Sequence, residues 1–475
     1  MNAVQSLAHF IPESILIVTG FLILVLDLFS KPKRWLGWLA LAGTTGALAY
    51  AAATIPGNTL PLFYGYFTID PFSVFFRITA LVIITVTILM ALAHKGTPPK
   101  QEGELYALLA FIGTGLILMA ASTNLLMIFI SIEFVSLTSY ILAGFEKHEG
   151  ASNEASLKYL LFGSVASATM LYGMSLLFGL TGSVELNGIR DALAGCGNTG
   201  PLLLIAMALL FVGLSFKISA APFHMWAPDV YTGAPTPIAG FLTVGPKAMG
   251  FAILLRVLFI ALPALQKEWS SLFAVLSALT MTVGNIAAVS QTNIKRLLAY
   301  SSIAQAGYIL MGIAAANAIG LEGILFYIAA YALTNLGAFT IVIVVVNQSK
   351  SEEISSFAGL AKRSPFIAAS LAVFFVSLAG IPPLAGYFGK VLVFAGVIEQ
   401  KLVALAVIAA VNSAIAAFYY FKVVKEMYLT EPADSVPAER PFPAVLATAI
   451  AFLAIAAIGI FPAPLLHWAS RSLIF

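Results

Sequence analysis

Runs of apolar residues, most of them about 20 long, follow one another along this chain with only short polar breaks between them. Coiled into an α-helix, a run of that length spans the ~30 Å hydrocarbon core of a bilayer. Lipid offers no partners to backbone N–H and C=O groups, so such a chain folds into helices or into a closed barrel. The ~10-residue alternating segments that build a barrel are absent from the sequence. Composition agrees, because 475 residues that are 60% hydrophobic and only 9% charged carry too little charge to keep a soluble domain dissolved. The fold class is an all-α polytopic membrane protein.

Reading the runs between breaks predicts fourteen spans, at 13–30, 35–54, 71–94, 105–121, 123–144, 155–180, 201–225, 236–262, 271–290, 296–316, 321–346, 364–398, 402–429 and 441–468. With that count both termini share one side. One set of loops and helix ends then holds Lys31, Lys33, Arg34, Lys95, Lys100, Lys147, Lys158, Lys295, Arg296, Lys350, Lys362, Arg363, Lys422, Lys425 and Arg440. The other holds Arg190, Lys267, Lys401 and Arg471. The positive-inside rule makes the first side cytoplasmic, so both termini are expected outside. The segment before the first span, MNAVQSLAHFIPE, has no Lys or Arg, which argues for a spanning helix rather than a cleaved signal peptide. The single Cys196, expected in an outward loop, can build neither an internal disulfide nor an iron–sulfur site. No nucleotide-binding glycine motif is present either, so no cofactor or metal is expected in this chain.

Two spans carry internal punctuation. LSFKISAAPFHMWAPDVYTGAPTP (214–237) contains Pro222 five residues after Lys217, and SLAGIPPLAGYFGK (377–390) contains Pro382 and Pro383 seven residues before Lys390. Proline removes a donor and clashes with the preceding turn, so spans 7 and 12 should break inside the membrane. Unwound backbone at that depth is tolerated only within protein or beside a wet cavity. The two breaks lie five spans apart, and five is odd, so units 4–8 and 9–13 enter the membrane from opposite sides. That is the pattern of an inverted repeat with a site at its discontinuous helices. The expected organisation is helices 1–3 over 1–104, a first repeat over 105–262, a second over 263–430 and a last helix over 431–475.

Four ionisable residues fall inside the runs: Glu133, Lys217, Lys247 and Lys390. A charge near the bilayer centre costs at least ~2.5–3.5 kcal/mol, so it marks an ion path, a proton relay or a specific pair. Lysine suits a relay because it can give up its proton when buried, which arginine cannot. A carboxylate at Glu133 opposite Lys217 would make a charge pair that changes state as the lysine moves. The blander readings are a carboxylate satisfied by Ser136 or a neighbouring helix, lysines held by carbonyls freed at the breaks or near Pro246, and snorkelling for Lys390. His224 and Lys158 are secondary candidates, the one a proton relay or a hydrogen-bonded filler, the other an interfacial anchor. Tyr300, Ser301, Ser302, Gln305 and Tyr308 give span 10 a polar stripe able to order water. Asp27 and Arg77 read as interfacial snorkelling residues.

The segments around these residues, with SQTNIKRLLAYSSIAQAGY (290–308), resemble the antiporter-like membrane subunits of respiratory complex I over essentially the whole chain. The resemblance implies roles: Glu133 the helix-5 carboxylate, Lys217 the helix-7 lysine, Lys247 the bridging helix-8 lysine and Lys390 the lysine of the outward half-channel. It implies proton translocation driven by quinone reduction in partner subunits, which would hold the quinone, flavin and iron–sulfur clusters. Expected partners are other membrane subunits, including antiporter-like neighbours, together with lipids and protons, and no nucleic acid. The expected location is a bacterial inner membrane. Several relatives carry a histidine where this chain has Gln305, and glutamine can hold a water wire but cannot carry the charge. A Mrp-type or free-standing cation/proton antiporter is the alternative within the same resemblance.

Overall fold

The structure is a computed structural model and describes residues 1–55, 59–195, 200–431 and 439–474; Cys196 lies outside them. Twenty helices and one hairpin follow in order: α1 Ala3–Leu7, α2 Ile11–Asp27, α3 Trp35–Ala53, β1 Leu60–Leu62, β2 Phe67–Ile69, α4 Pro71–Ala93, α5 Glu102–Ala121, α6 Leu125–Ala143 and α7 Gly150–Thr181. They continue with α8 Leu186–Gly195, α9 Pro201–Lys217, α10 Trp226–Gly233, α11 Thr236–Arg256, α12 Gln266–Val289, α13 Ile294–Ala315 and α14 Ala318–Ser349. The last six are α15 Leu360–Arg363, α16 Pro365–Ala379, α17 Ala385–Glu399, α18 Val403–Leu429, α19 Phe442–Ile460 and α20 Ala463–Arg471. Among the described residues eleven helices are individually long and apolar enough to cross a bilayer. Each of the fourteen predicted spans corresponds to one helix or to one interrupted pair, and α1, α8, α10 and α15 are short additions.

The helices begin where the sequence supplies caps. Asp70 takes the backbone N–H of Ser73 and is followed by Pro71, so α4 starts with a capping box and a preset first turn. Asn124, Asn293 and Asn317 cap α6, α13 and α14 through their side-chain oxygens. Helices α4, α11, α13 and α14 are buried nearly all round, while α3, α7, α12, α18 and α19 turn much of their surface outward. The bundle thus has a dry centre around α11, α13 and α14, and a rim of lipid-facing helices.

Both predicted breaks are present, but neither lies at its proline. The first ends α9 at Lys217, with Ser219 at φ +56° and Pro222 farther on. The second ends α16 at Ala379, with Gly380 at φ +83° before Pro382 and Pro383. A proline ring collides with the carbonyl four residues earlier, so the helix stops a turn upstream of it. The backbone groups set free are met from outside: Ala221 N–H donates to Thr280 Oγ1 of α12 at 2.9 Å, and Gly386 N–H to Ser377 Oγ at 3.1 Å. The last predicted span, 441–468, is also divided: α19 stops before Phe461 and Pro462, and a short α20 follows.

The expectation of snorkelling at Arg77 is overturned. Its guanidinium lies 2.6 Å from Glu13, and both residues are buried. Arg256 is likewise buried and holds Asp70 through two N–H groups at 2.8 and 3.0 Å, while its Nε donates to Ala120 O. Asp27, nearer the end of its helix, pairs with Lys33 at 2.6 Å.

Candidate functional site

Lys217, the last residue of α9, is buried and donates to Ser136 Oγ of α6 at 2.9 Å. Glu133 sits one turn earlier on α6, only half-buried, and accepts a hydrogen bond of 2.5 Å from Ser167 of α7. The expected contact pair is therefore not formed. Ser136 holds the Lys217 side chain while Ser167 holds that of Glu133.

Lys247, midway along α11, donates to Ser302 Oγ of α13 at 2.8 Å and lies 5.5 Å from the centre of the Tyr231 ring on α10. Lys390 of α17 reaches back across the second break to Ala379 O at 2.8 Å and to Ser413 Oγ at 3.3 Å, with its ammonium 4.4 Å over the Tyr308 ring. It is 5% exposed, which rules out snorkelling. All three lysines are buried, and all three are met by hydroxyls, a carbonyl or a ring; no carboxylate lies within ion-pair distance of any of them among the described residues.

Between Lys247 and Lys390 lies a set of buried hydroxyl and amide groups. Gln305 accepts from Tyr327 O–H and donates from Nε2 to Leu378 O at 3.0 Å and to Tyr420 Oη at 3.1 Å. Tyr420 in turn shares a 2.5 Å hydrogen bond with Ser301. Beyond Lys390, Tyr308 accepts from Asn285, which also meets Asn412 and Tyr419. The polar stripe of span 10 is thus real for Ser301, Ser302, Gln305 and Tyr308. Tyr300 is not part of it; it is half-buried and packs on the apolar core. The tyrosines of α14 and α18 were missed from sequence. Their signal was there in ILFYIAAYALTN (324–335), where Tyr327 and Tyr331 recur four residues apart and Thr334 and Asn335 follow on the same helix.

The secondary candidates separate. His224 sits in the first break, half-buried, with Nδ1 turned inward. Lys158 stands apart from the lysine row. It pairs with Asp229 at 2.7 Å and with Glu154 at 2.8 Å on the wall of an open cavity of about 640 Å³, where Arg296 also approaches Asp229 at 3.3 Å. Lys295 on the same wall is buried against Ala234 O and Glu352.

A helical bundle with two interrupted membrane helices and a row of buried lysines between them is an antiporter-like membrane subunit. The chain belongs to the NADH:quinone oxidoreductase/Mrp antiporter family of membrane proteins, whose description residues 122–416 match. It is 41% identical over 472 residues to the NADH-quinone oxidoreductase subunit N of Trichlorobacter lovleyi, covering 97% of this chain and 96% of the relative. The subunit N of Moorella thermoacetica is 40% identical, covering 95% of each. Among solved structures, a chain of respiratory complex I from Thermus thermophilus with bound Aureothin is 33% identical, with a TM-score of 0.81 over 97% of this chain and 99% of that one. A chain of the Mrp complex from Dietzia sp. DQ12-45-1b shares the fold, with a TM-score of 0.86 over 97% of each chain at 20% identity.

Proposed function

We propose that this chain is the proton-translocating subunit N of a bacterial NADH:quinone oxidoreductase, moving protons along Glu133, Lys217, Lys247 and Lys390 while quinone is reduced in partner subunits. One observation carries the reading. The buried cations of this bundle divide into three locked to carboxylates, Arg77, Arg256 and Lys295, and three lysines, Lys217, Lys247 and Lys390, whose hydrogen-bond partners are neutral groups. Removing an ion from water is expensive unless it is paired. A buried site that offers a cation no counter-ion, and fills itself with lysine, suits a group that exists both with and without its proton.

Residues 105–262 and 263–430 act as the two repeat units, each contributing a broken helix. Glu133 and Lys217 form the first switch: a change at Glu133 alters how well Lys217 keeps its charge. Lys247 receives the proton and Lys390 passes it outward. The charged face with the 640 Å³ cavity is cytoplasmic and the termini face outward in the inner membrane. Neighbouring membrane subunits flank the chain, and flavin, iron–sulfur clusters and quinone act in the wider assembly.

The test uses the assembled complex in sealed vesicles. Lys217→Met and Lys247→Met should each cut quinone-linked proton pumping by on the order of tenfold or more, with assembly intact. Pumping at the wild-type level in both variants would rule the reading out. So would purification of the chain without peripheral redox subunits from its native membrane.

A further inference from the structure

Two small cavities lie in the dry centre of the bundle. One, of about 10 Å³, is walled by Lys247, Ser302 and Tyr331 among apolar residues. The other, also about 10 Å³, is walled by Gln305, Tyr327, Tyr331, Thr334 and Ser377. Each has room for about one water and offers polar partners to hold it. Tyr331 of α14 stands in both walls. The second cavity also reaches the second break, because Ser377 lies two residues before Ala379, whose carbonyl holds Lys390. Ser377 Oγ is 3.5 Å from Thr334 Oγ1 and accepts from Gly386 N–H.

We propose that Tyr331 is the relay hydroxyl joining the Lys247 cavity to the second cavity, which ends at the helix break where Ala379 O holds Lys390, so that every proton crossing between the repeat units passes through its phenolic oxygen. The step balances without a redox partner. Lys247 gives a proton to a water in the first cavity. That water's proton bonds to Tyr331 Oη as the original O–H bond breaks toward the second cavity, and the proton continues past Thr334 and Ser377 to neutral Lys390. Tyrosine ends as it began. Gln305 cannot serve in this place, since its amide is fixed between Tyr327, Tyr420 and Leu378 and does not titrate.

The same geometry gives the relay a resting position. Tyr331 O–H is donated to Thr243 O of α11 at 3.1 Å, which withholds the hydrogen from the second cavity. The hydroxyl has to turn off that carbonyl before the chain of bonds is complete. Thr243 lies one turn before Lys247 on α11, so a shift of that helix would move the carbonyl and the lysine together.

This inference rests on the proposed function, and the experiment separates the two. In the assembled complex in vesicles, Tyr331→Phe removes one oxygen and leaves the ring. Pumping per quinone reduced should fall on the order of tenfold, with unchanged assembly and melting temperature. The solvent deuterium isotope effect on the residual pumping should rise, which a merely structural hydroxyl would not produce. Wild-type pumping in Tyr331→Phe, with Lys247→Met inactive, overturns the relay and leaves the proposed function standing. Wild-type pumping in Lys247→Met removes both. If Tyr331→Phe does not assemble, Thr334→Val decides. It keeps the volume and removes a hydroxyl from the second cavity alone, so a loss of similar size supports the relay and wild-type pumping overturns it.

Discussion

Glu13 and Arg77 show what a buried charge looks like when its work is to fasten helices. The two approach to 2.6 Å and are shielded on all sides. Removing one partner strands the other in a place where it cannot be hydrated, which costs about 3–5 kcal/mol. Glu13→Gln or Arg77→Met should therefore lower the melting temperature of the purified complex markedly, whereas Lys217→Met should leave it near the wild-type value. Equal shifts for the two sites would mean that the lysine is also a fastener. The sequence displays the difference only in part. Lys217, Lys247 and Lys390 are legible because lysine inside an apolar run has few structural excuses. Glu13 sits near the start of its helix and Arg77 near the start of another, so each reads alone as a surface residue. Their meeting is a tertiary fact with no local pattern. The choice of Ser167 by Glu133 and of Ser136 by Lys217 belongs to the same class.

Elements were legible wherever backbone chemistry sets them. Long apolar runs gave the spans, and proline located both breaks to within about a turn. The remaining error has a cause: the helix yields at the carbonyl that the ring would strike, not at the ring itself. The hairpin 60–69 and the short helices α8, α10 and α20 were not legible, since a reading tuned to twenty-residue runs passes over pieces of ten residues or fewer. At the second break glycine carries constraints that the sequence hinted at without ranking. A Cβ on Gly386 would come within 2.0 Å of Ser377 O, backbone that cannot step aside. Gly380 needs its positive φ, and a Cβ there would come within 2.5 Å of Lys390 Cδ. Gly386→Ala should prevent α17 from seating and reduce the amount of assembled complex. Gly380→Ala should assemble more fully, with strain of about 1–2 kcal/mol, but pump poorly because Lys390 is displaced. Blue-native electrophoresis beside vesicle pumping assays distinguishes the two outcomes.

Across the whole molecule the proposed repeat units, 105–262 and 263–430, meet at three levels. On the charged face, Asp229 of α10 bridges Lys158 of α7 and Arg296 of α13. These groups are each about 36–40% exposed, so the tie shapes the 640 Å³ cavity more than it stabilises the bundle. In the interior, Thr280 of α12 takes the freed N–H at the first break. At the centre stand the two cavities on either side of Tyr331. Vesicles carrying the complex should show sodium efflux no faster than protein-free vesicles at rest or during quinone reduction; efflux that rises with turnover would contradict the picture. A metal cation sheds its hydration oxygens only against an equal set of replacements, and a cavity of about 10 Å³ supplies one. A proton needs no such escort, since each oxygen can accept one and release another. Under the proposed function the centre of this bundle would let a proton cross and no hydrated ion, keeping the membrane electrically tight to everything except the one current that quinone reduction drives.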